Sequence, residues 1–295
     1  MTKDRLFITG ATGFIGKALC QQLKDRFAIT ALVRDQDKAR QLLGPEVELC
    51  ANVPDLSGVQ VVINLAGEPI AAKRWSEHQK KRITQSRWQL TEELVTAMSA
   101  SPPRVFISGS AIGFYGPQDP DTLVTESYTA ISDDFGHRLC KGWEERALKA
   151  QEFTRVCVLR TGVVIGQGGA LERMLLPFKL GLGGPVGSGR QIMSWISHHD
   201  MVAAILFLLE RSDLSGAFNC TAPTPVSSRD FAKTLGAVLG RPALLPMPAF
   251  VPKLLLGEGA TLLLDGQKVL PKRLLEAGFE FRYPELAEAF KAALG

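Results

Sequence analysis

The octapeptide Thr9-Gly10-Ala11-Thr12-Gly13-Phe14-Ile15-Gly16 constrains this chain more than any other stretch. Its glycines recur at a spacing of three and three. The loop lies between a short apolar run, Leu6-Phe7-Ile8-Thr9, and a segment from Ile15 to Leu23 whose apolar spacing is helical. This reads as strand, tight loop, helix. In that setting Gly10 permits the turn, Gly13 lets backbone approach a pyrophosphate, and Gly16 lets helix and strand pack closely, with the helix N-terminus facing the anion. An ordinary strand-to-helix turn could carry the same glycines. A second apolar strand, Ala28 to Val33, at the expected distance favours the dinucleotide reading, with Thr12, Phe14 and Ile15 beside the three glycines at the pyrophosphate.

Where that second strand ends, an acidic residue would accept from a ribose 2′-hydroxyl. The sequence offers Arg34 there, then Asp35 and Lys38. A guanidinium suits a 2′-phosphate, so NADP is expected over NAD, while Asp35 keeps NAD open and a solvated surface arginine is the bland alternative. Further short runs apolar on both faces, Val59 to Leu65, Val105 to Ile107 and Val156 to Leu159, alternate with helical stretches at Ser76 to Ala100 and Phe135 to Ala150. The fold class expected is α/β, a doubly wound parallel sheet covered on both sides. After Gly166 the chain becomes rich in glycine and proline. A cofactor domain over 1–165 is therefore expected, followed by a smaller C-terminal domain over 166–295, with segments of 190–225 free to return to the sheet.

Composition narrows the function. Of 295 residues 45% are hydrophobic and 22% charged, and 34 basic against 30 acidic residues leave a net charge of +4. The basic residues are scattered, so nucleic acid is not an expected partner. Cys20, Cys50, Cys140, Cys157 and Cys220 are odd in number and far apart, without a C-x-x-C pair or a Cys/His cluster at ligand spacing. A reducing cytoplasm and no metal are the expectations. The apolar run after Met1-Thr2-Lys3-Asp4-Arg5 breaks at Gly10, and Phe250 to Leu264 is interrupted by proline, glycine and charge. Neither reads as a membrane span.

Taken in order, the glycine loop, Asn64-Leu65-Ala66-Gly67, Ser108-Gly109-Ser110, Gly113-Phe114-Tyr115-Gly116 and Leu159-Arg160-Thr161-Gly162 resemble the extended short-chain dehydrogenase/reductase family. Ile196-Ser197-His198-His199-Asp200 and Lys272 to Phe281 extend the resemblance over nearly the whole chain. Trp75, Arg82, Ser86-Arg87 and the Pro-Leu-rich tail are most similar to an atypical, epimerase-like branch. The resemblance implies a Rossmann-type sheet, a C-terminal α/β substrate domain closing over a nicotinamide, and a homodimer through two helices. It also implies Ala66, Gly67 and Arg160 on the cofactor side, and hydride transfer to or from a small polar substrate by oxidoreduction or epimerisation.

That chemistry uses a Tyr-x-x-x-Lys pair and a serine. Ser110 stands at the serine position and Lys141 at the lysine position, but four residues before it the chain has His137. Either His137 or Tyr115 replaces the phenol as proton donor, or His137 is a surface histidine, Tyr115 a packed ring, and the protein a catalytically silent NADP-binding sensor. Met193-Ser194-Trp195 stands where sugar-nucleotide enzymes of the family carry an arginine, which makes a nucleotide sugar a less favoured substrate. Three other motifs are set aside. Gly109-Ser110-Ala111-Ile112-Gly113 has its first glycine too close to the serine for a hydrolase elbow. Adjacent His198 and His199 lack helical zinc-site spacing. Lys80-Lys81-Arg82 reads as a solvated basic face.

Overall fold

The first strand, β1 (Asp4–Thr9), is apolar on both faces because both are covered: Leu6 and Ile8 point to one side of the sheet and Phe7 to the other, all buried. The computed structural model describes residues 3–295, apart from the side chains at 170 and 173; Met1 and Thr2 of the N-terminal stretch lie outside the described residues. Helix α1 (Phe14–Leu23) returns the chain to β2 (Phe27–Leu32), and α2 (Gln36–Leu43) leads to the short edge strand β3 (Glu48–Cys50). The chain then crosses to the other side of β1. There β4 (Val61–Asn64), β5 (Val105–Ala111), β6 (Arg155–Thr161) and β7 (Gly216–Cys220) complete a seven-stranded sheet of order β3-β2-β1-β4-β5-β6-β7. Every neighbouring pair is parallel.

The alternation continues across the sheet. Val61, Ile63, Val105, Ile107, Cys157 and Leu159 face α1, α2 and α6 (His198–Glu210). Val62, Phe106, Val156 and Val158 face α3 (Glu77–Ser99) and α4 (Phe135–Leu148). This is the Rossmann-like doubly wound arrangement, with the reversal of strand order at β1 and β4 leaving a crevice at their carboxyl ends. Residues 198–220 run back as α6 and β7, so the last strand of the sheet comes from beyond residue 165. A separate core of Ile165, Phe178, Trp195, Phe231 and Phe290 joins α5 (Gly169–Lys179), α7 (Ser228–Leu239) and the C-terminal helix Leu286–Leu294. Asp200, 1% exposed, ties the two parts together. Its carboxylate accepts from Ser197 Oγ at 2.8 Å and from the amides of Arg282 and Tyr283 at 2.8 and 3.0 Å.

Candidate cofactor cleft and active site

The crevice is floored by the glycine loop. Gly10 has φ +73°, and a Cβ there would come within 2.7 Å of the Leu65 carbonyl carbon, while one at Gly16 would strike the Gly10 carbonyl. Only glycine allows the loops after β1 and β4 to lie this close. Gly13 donates back to the Gly10 carbonyl at 2.9 Å and stands at the N-cap of α1. The N-caps of α3, α4 and α6, Ser76, Asp134 and Ser197, each accept from an amide of the first turn, but α1 has no side-chain cap. Its first amides are thus left for an anion, and the donor set and the cradle fit a pyrophosphate.

A buried polar chain fixes the two loops. Thr9 Oγ1 donates to Asn64 Oδ1 at 2.7 Å, Asn64 Nδ2 donates to Thr91 Oγ1 at 2.9 Å, and the Ala66 amide donates to Thr9 Oγ1 at 3.2 Å. Neither Thr9 nor Thr91 stands out as functional in the sequence. Their role comes from pairing groups 55 and 27 residues apart. Gly67 lies against the Arg87 guanidinium, which donates to the carbonyls of Glu68 and Ile83 at 3.0 and 3.1 Å and stacks over Trp143. Burial pushes its pKa down. On the opposite wall Phe14 stacks on His198 with centroids 4.2 Å apart, and His198 Nε2–H donates to the Phe14 carbonyl at 2.9 Å.

Arg34, at the end of β2, keeps its side chain 89% exposed. Asp35 is used differently: its carboxylate accepts from the Lys38 amide at 3.0 Å and caps α2. At this strand end the cation faces outward and the neighbouring anion is already engaged.

The residues expected at the reacting end are brought near one another, but not as a tyrosine-lysine pair. Ser110, 5% exposed, donates from Oγ to Glu144 Oε1 at 2.6 Å. Arg160 grips the same carboxylate through Nε at 2.9 Å and Nη2 at 2.8 Å and donates from Nη1 to the Tyr115 oxygen at 3.0 Å. The Tyr115 hydroxyl donates to Asn219 Oδ1 at 2.7 Å, and its ring is fully buried. Burial raises the Tyr115 pKa against the lowering pull of Arg160 and Asn219. For Arg160 desolvation acts downward, but the Glu144 bond and charge outweigh it and the guanidinium is held firmly protonated. Arg160 is therefore engaged in an interior ion pair, side chains 8% and 4% exposed. Glu144 and Asn219 carry no motif that could have singled them out.

On α4, Lys141 is exposed and Cys140 holds the inward position. The Cys140 thiol makes hydrogen-bond contacts with Ser110 and the Ala111 backbone, and burial pushes its pKa up to about 12, so it stays a neutral thiol. His137 is half-buried at the boundary. Its Nδ1–H donates to the Phe114 carbonyl at 2.5 Å; a carbonyl only accepts, so Nδ1 carries a proton. At the carboxyl ends of β5 and β6 a pocket opens beside Ile112 and Val163, walled by Met174, Phe178, Ile192 and Phe231, with Asp265 and Gln267 at its polar side. Among its described lining residues apolar side chains predominate, whereas the sequence pointed to a small polar substrate. Among the described residues no group of three or more His, Cys, Asp or Glu could hold a metal ion, and no helix is long and apolar enough to cross a membrane.

A seven-stranded Rossmann-like sheet with this loop defines a nucleotide-binding α/β protein, and the comparisons with known proteins give the family. The NAD dependent epimerase/dehydratase family matches residues 6–221, and the chain belongs to it. Residues 247–293 match a domain of unknown function, DUF1731. The mouse epimerase family protein SDR39U1 is 39% identical over 97% of this chain and 98% of its own length. A chloroplastic SDR39U1 homolog of Arabidopsis thaliana is 42% identical over 97% of this chain and 86% of its length. The crystal structure of human SDR39U1 with NADPH superposes with a TM-score of 0.87 at 35% identity, covering 98% of both chains. A Bacillus cereus UDP-glucuronic acid 4-epimerase, at 17% identity and a TM-score of 0.80 over 98% of this chain and 97% of that one, shares the fold.

Proposed function

We propose that this protein binds NADPH across the β1/β4 crevice and transfers hydride to or from a small, uncharged carbonyl or alcohol. The observation that carries this reading is the uncapped N-terminus of α1 above a cradle that admits no Cβ at Gly10 or Gly16. The NADPH-bound human relative supports the choice of cofactor. Gly10, Thr12, Gly13, Phe14, Ile15 and Gly16 hold the pyrophosphate, Arg34 the 2′-phosphate, and Ala66 and Gly67 flank the adenine-side ribose. The nicotinamide supplies a hydride at C4 when bound. His137, once protonated at Nε2, gives the proton to the oxygen that the hydride leaves electron-rich, while its Nδ1–H stays on the Phe114 carbonyl and fixes the ring. Ser110 orients this wall through Glu144, and Tyr115 and Arg160 brace it from within. The apolar pocket beside Ile112 supports an uncharged substrate.

The test is NADPH titration by calorimetry, followed by NADPH consumption with a panel of aldehydes and ketones. His137→Ala should lower turnover about 100-fold or more while leaving NADPH affinity within twofold. Equal turnover in parent and variant removes His137 from the mechanism. A second reading has its own support: the phenol is absent, Lys141 faces solvent, and the Ser110 hydroxyl is spent on Glu144. On that reading the protein is a silent NADPH sensor, and tight binding without consumption of cofactor by any carbonyl would favour it.

A further inference from the structure

Next to the end of β2 lies a charge cluster in which the functional reading gives a role to Arg34 but none to Glu68 or Arg82. Glu68, in the loop after β4, has a side chain only 10% exposed, yet two guanidiniums approach it from different elements: Arg34 Nη1 at 3.9 Å and Arg82 Nη2, from α3, at 3.3 Å. The carboxylate is held from below. Its own amide donates to Ser86 Oγ at 2.9 Å and its carbonyl accepts from Arg87 at 3.0 Å, so the loop is pinned to α3 on both sides. Arg82 and Arg34 keep their side chains 46% and 89% exposed, and each offers Glu68 one nitrogen of its fork. Two exposed cations share one anion, with the buried Arg87 beside the same carboxylate, so positive charge is in surplus at this corner.

We propose that Arg82, which meets Glu68 on the same carboxylate as Arg34, is a second guanidinium contact for the cofactor's 2′-phosphate. This rests on the NADPH reading above and deepens it. A phosphate monoester carries about −1.5 to −2 charges near neutrality, close to what the surplus and the remaining fork donors can satisfy, and a planar fork matches its oxygens. A bare ribose hydroxyl carries no such charge and gains little from either arginine. The pair therefore sets cofactor preference more than overall affinity. Asp35, the neighbouring carboxylate, accepts from the Lys38 amide.

The experiment compares dissociation constants for NADPH and NADH on the full chain carrying Arg82→Ala, Arg82→Gln, Arg34→Ala or, as a control on net charge, Lys81→Ala. Arg82→Ala should weaken NADPH about 10- to 100-fold and leave NADH within twofold; Lys81→Ala should change neither. Arg82→Gln retains the stem and a donor, and guards against loss of folding in the alanine variant. If Arg34→Ala raises the ratio of the NADPH to the NADH dissociation constant and both Arg82 variants leave it unchanged, the assignment of Arg82 is wrong and the cofactor reading stands. Should none of the arginine variants alter the ratio, the 2′-phosphate site itself is misplaced.

Discussion

The Ser110, Glu144, Arg160, Tyr115 and Asn219 chain shows how single residues acquire a role that their type does not announce. Arg160 lies near the carboxyl end of β6, but its guanidinium spans Glu144 and Tyr115 inside the protein and lies 3.6 Å from the Phe114 ring centroid. Burying this pair costs desolvation, which only two-point contact with the carboxylate offsets. Arg160→Met should therefore destabilise the fold by about 3–5 kcal/mol by stranding Glu144, whereas Arg160→Met combined with Glu144→Leu should recover most of that loss. Urea denaturation of the three proteins decides it. A double variant no more stable than the single one would mean the pair is not coupled in this way. Tyr115 belongs to the same chain, and its phenol, fully buried and bonded on both sides, is a brace.

At the scale of elements, α4 decides which side chains meet the crevice. A helix turns about 100° per residue, so the identity of the inward residue depends on the rotation of the whole cylinder. The rotation is set by packing: a Cβ on Gly142 would collide with the Trp88 ring, and one on Gly109 of β5 would stand 2.9 Å from Trp143. With those aromatics seated, Cys140 faces Ser110 and Lys141 points to water. Lys141→Ala should then leave stability within about 0.5 kcal/mol and NADPH consumption unchanged, measured by thermal melts and cofactor absorbance. A large loss of turnover would restore the lysine to the reacting centre. The helix ends were legible, since Ser76 and Asp134 are good caps. The edge strand β3, three residues long, has too little apolar pattern to be seen in sequence.

For the whole molecule the crevice joins both parts of the chain: the sheet supplies the phosphate cradle, and the segment after residue 165 supplies most of the pocket beside Ile112. Binding to the folded state alone should raise stability by about 2.7 kcal/mol at NADPH a hundred times its dissociation constant, or roughly 5 °C in the thermal midpoint. A midpoint that does not move with NADPH concentration would count against the cofactor reading. The sheet and its glycine loop were legible from residue pattern alone. Glycines at three-residue spacing and short runs apolar on both faces are local signals, and together they point to strands covered on both sides and a helix N-terminus at the switch point. That Arg160 turns inward, that Cys140 takes the inward place beside Lys141, and that Arg34, Glu68 and Arg82 converge came from packing. Those outcomes depend on helix rotation and on partners 14 to 45 residues away, which packing fixes and spacing does not encode.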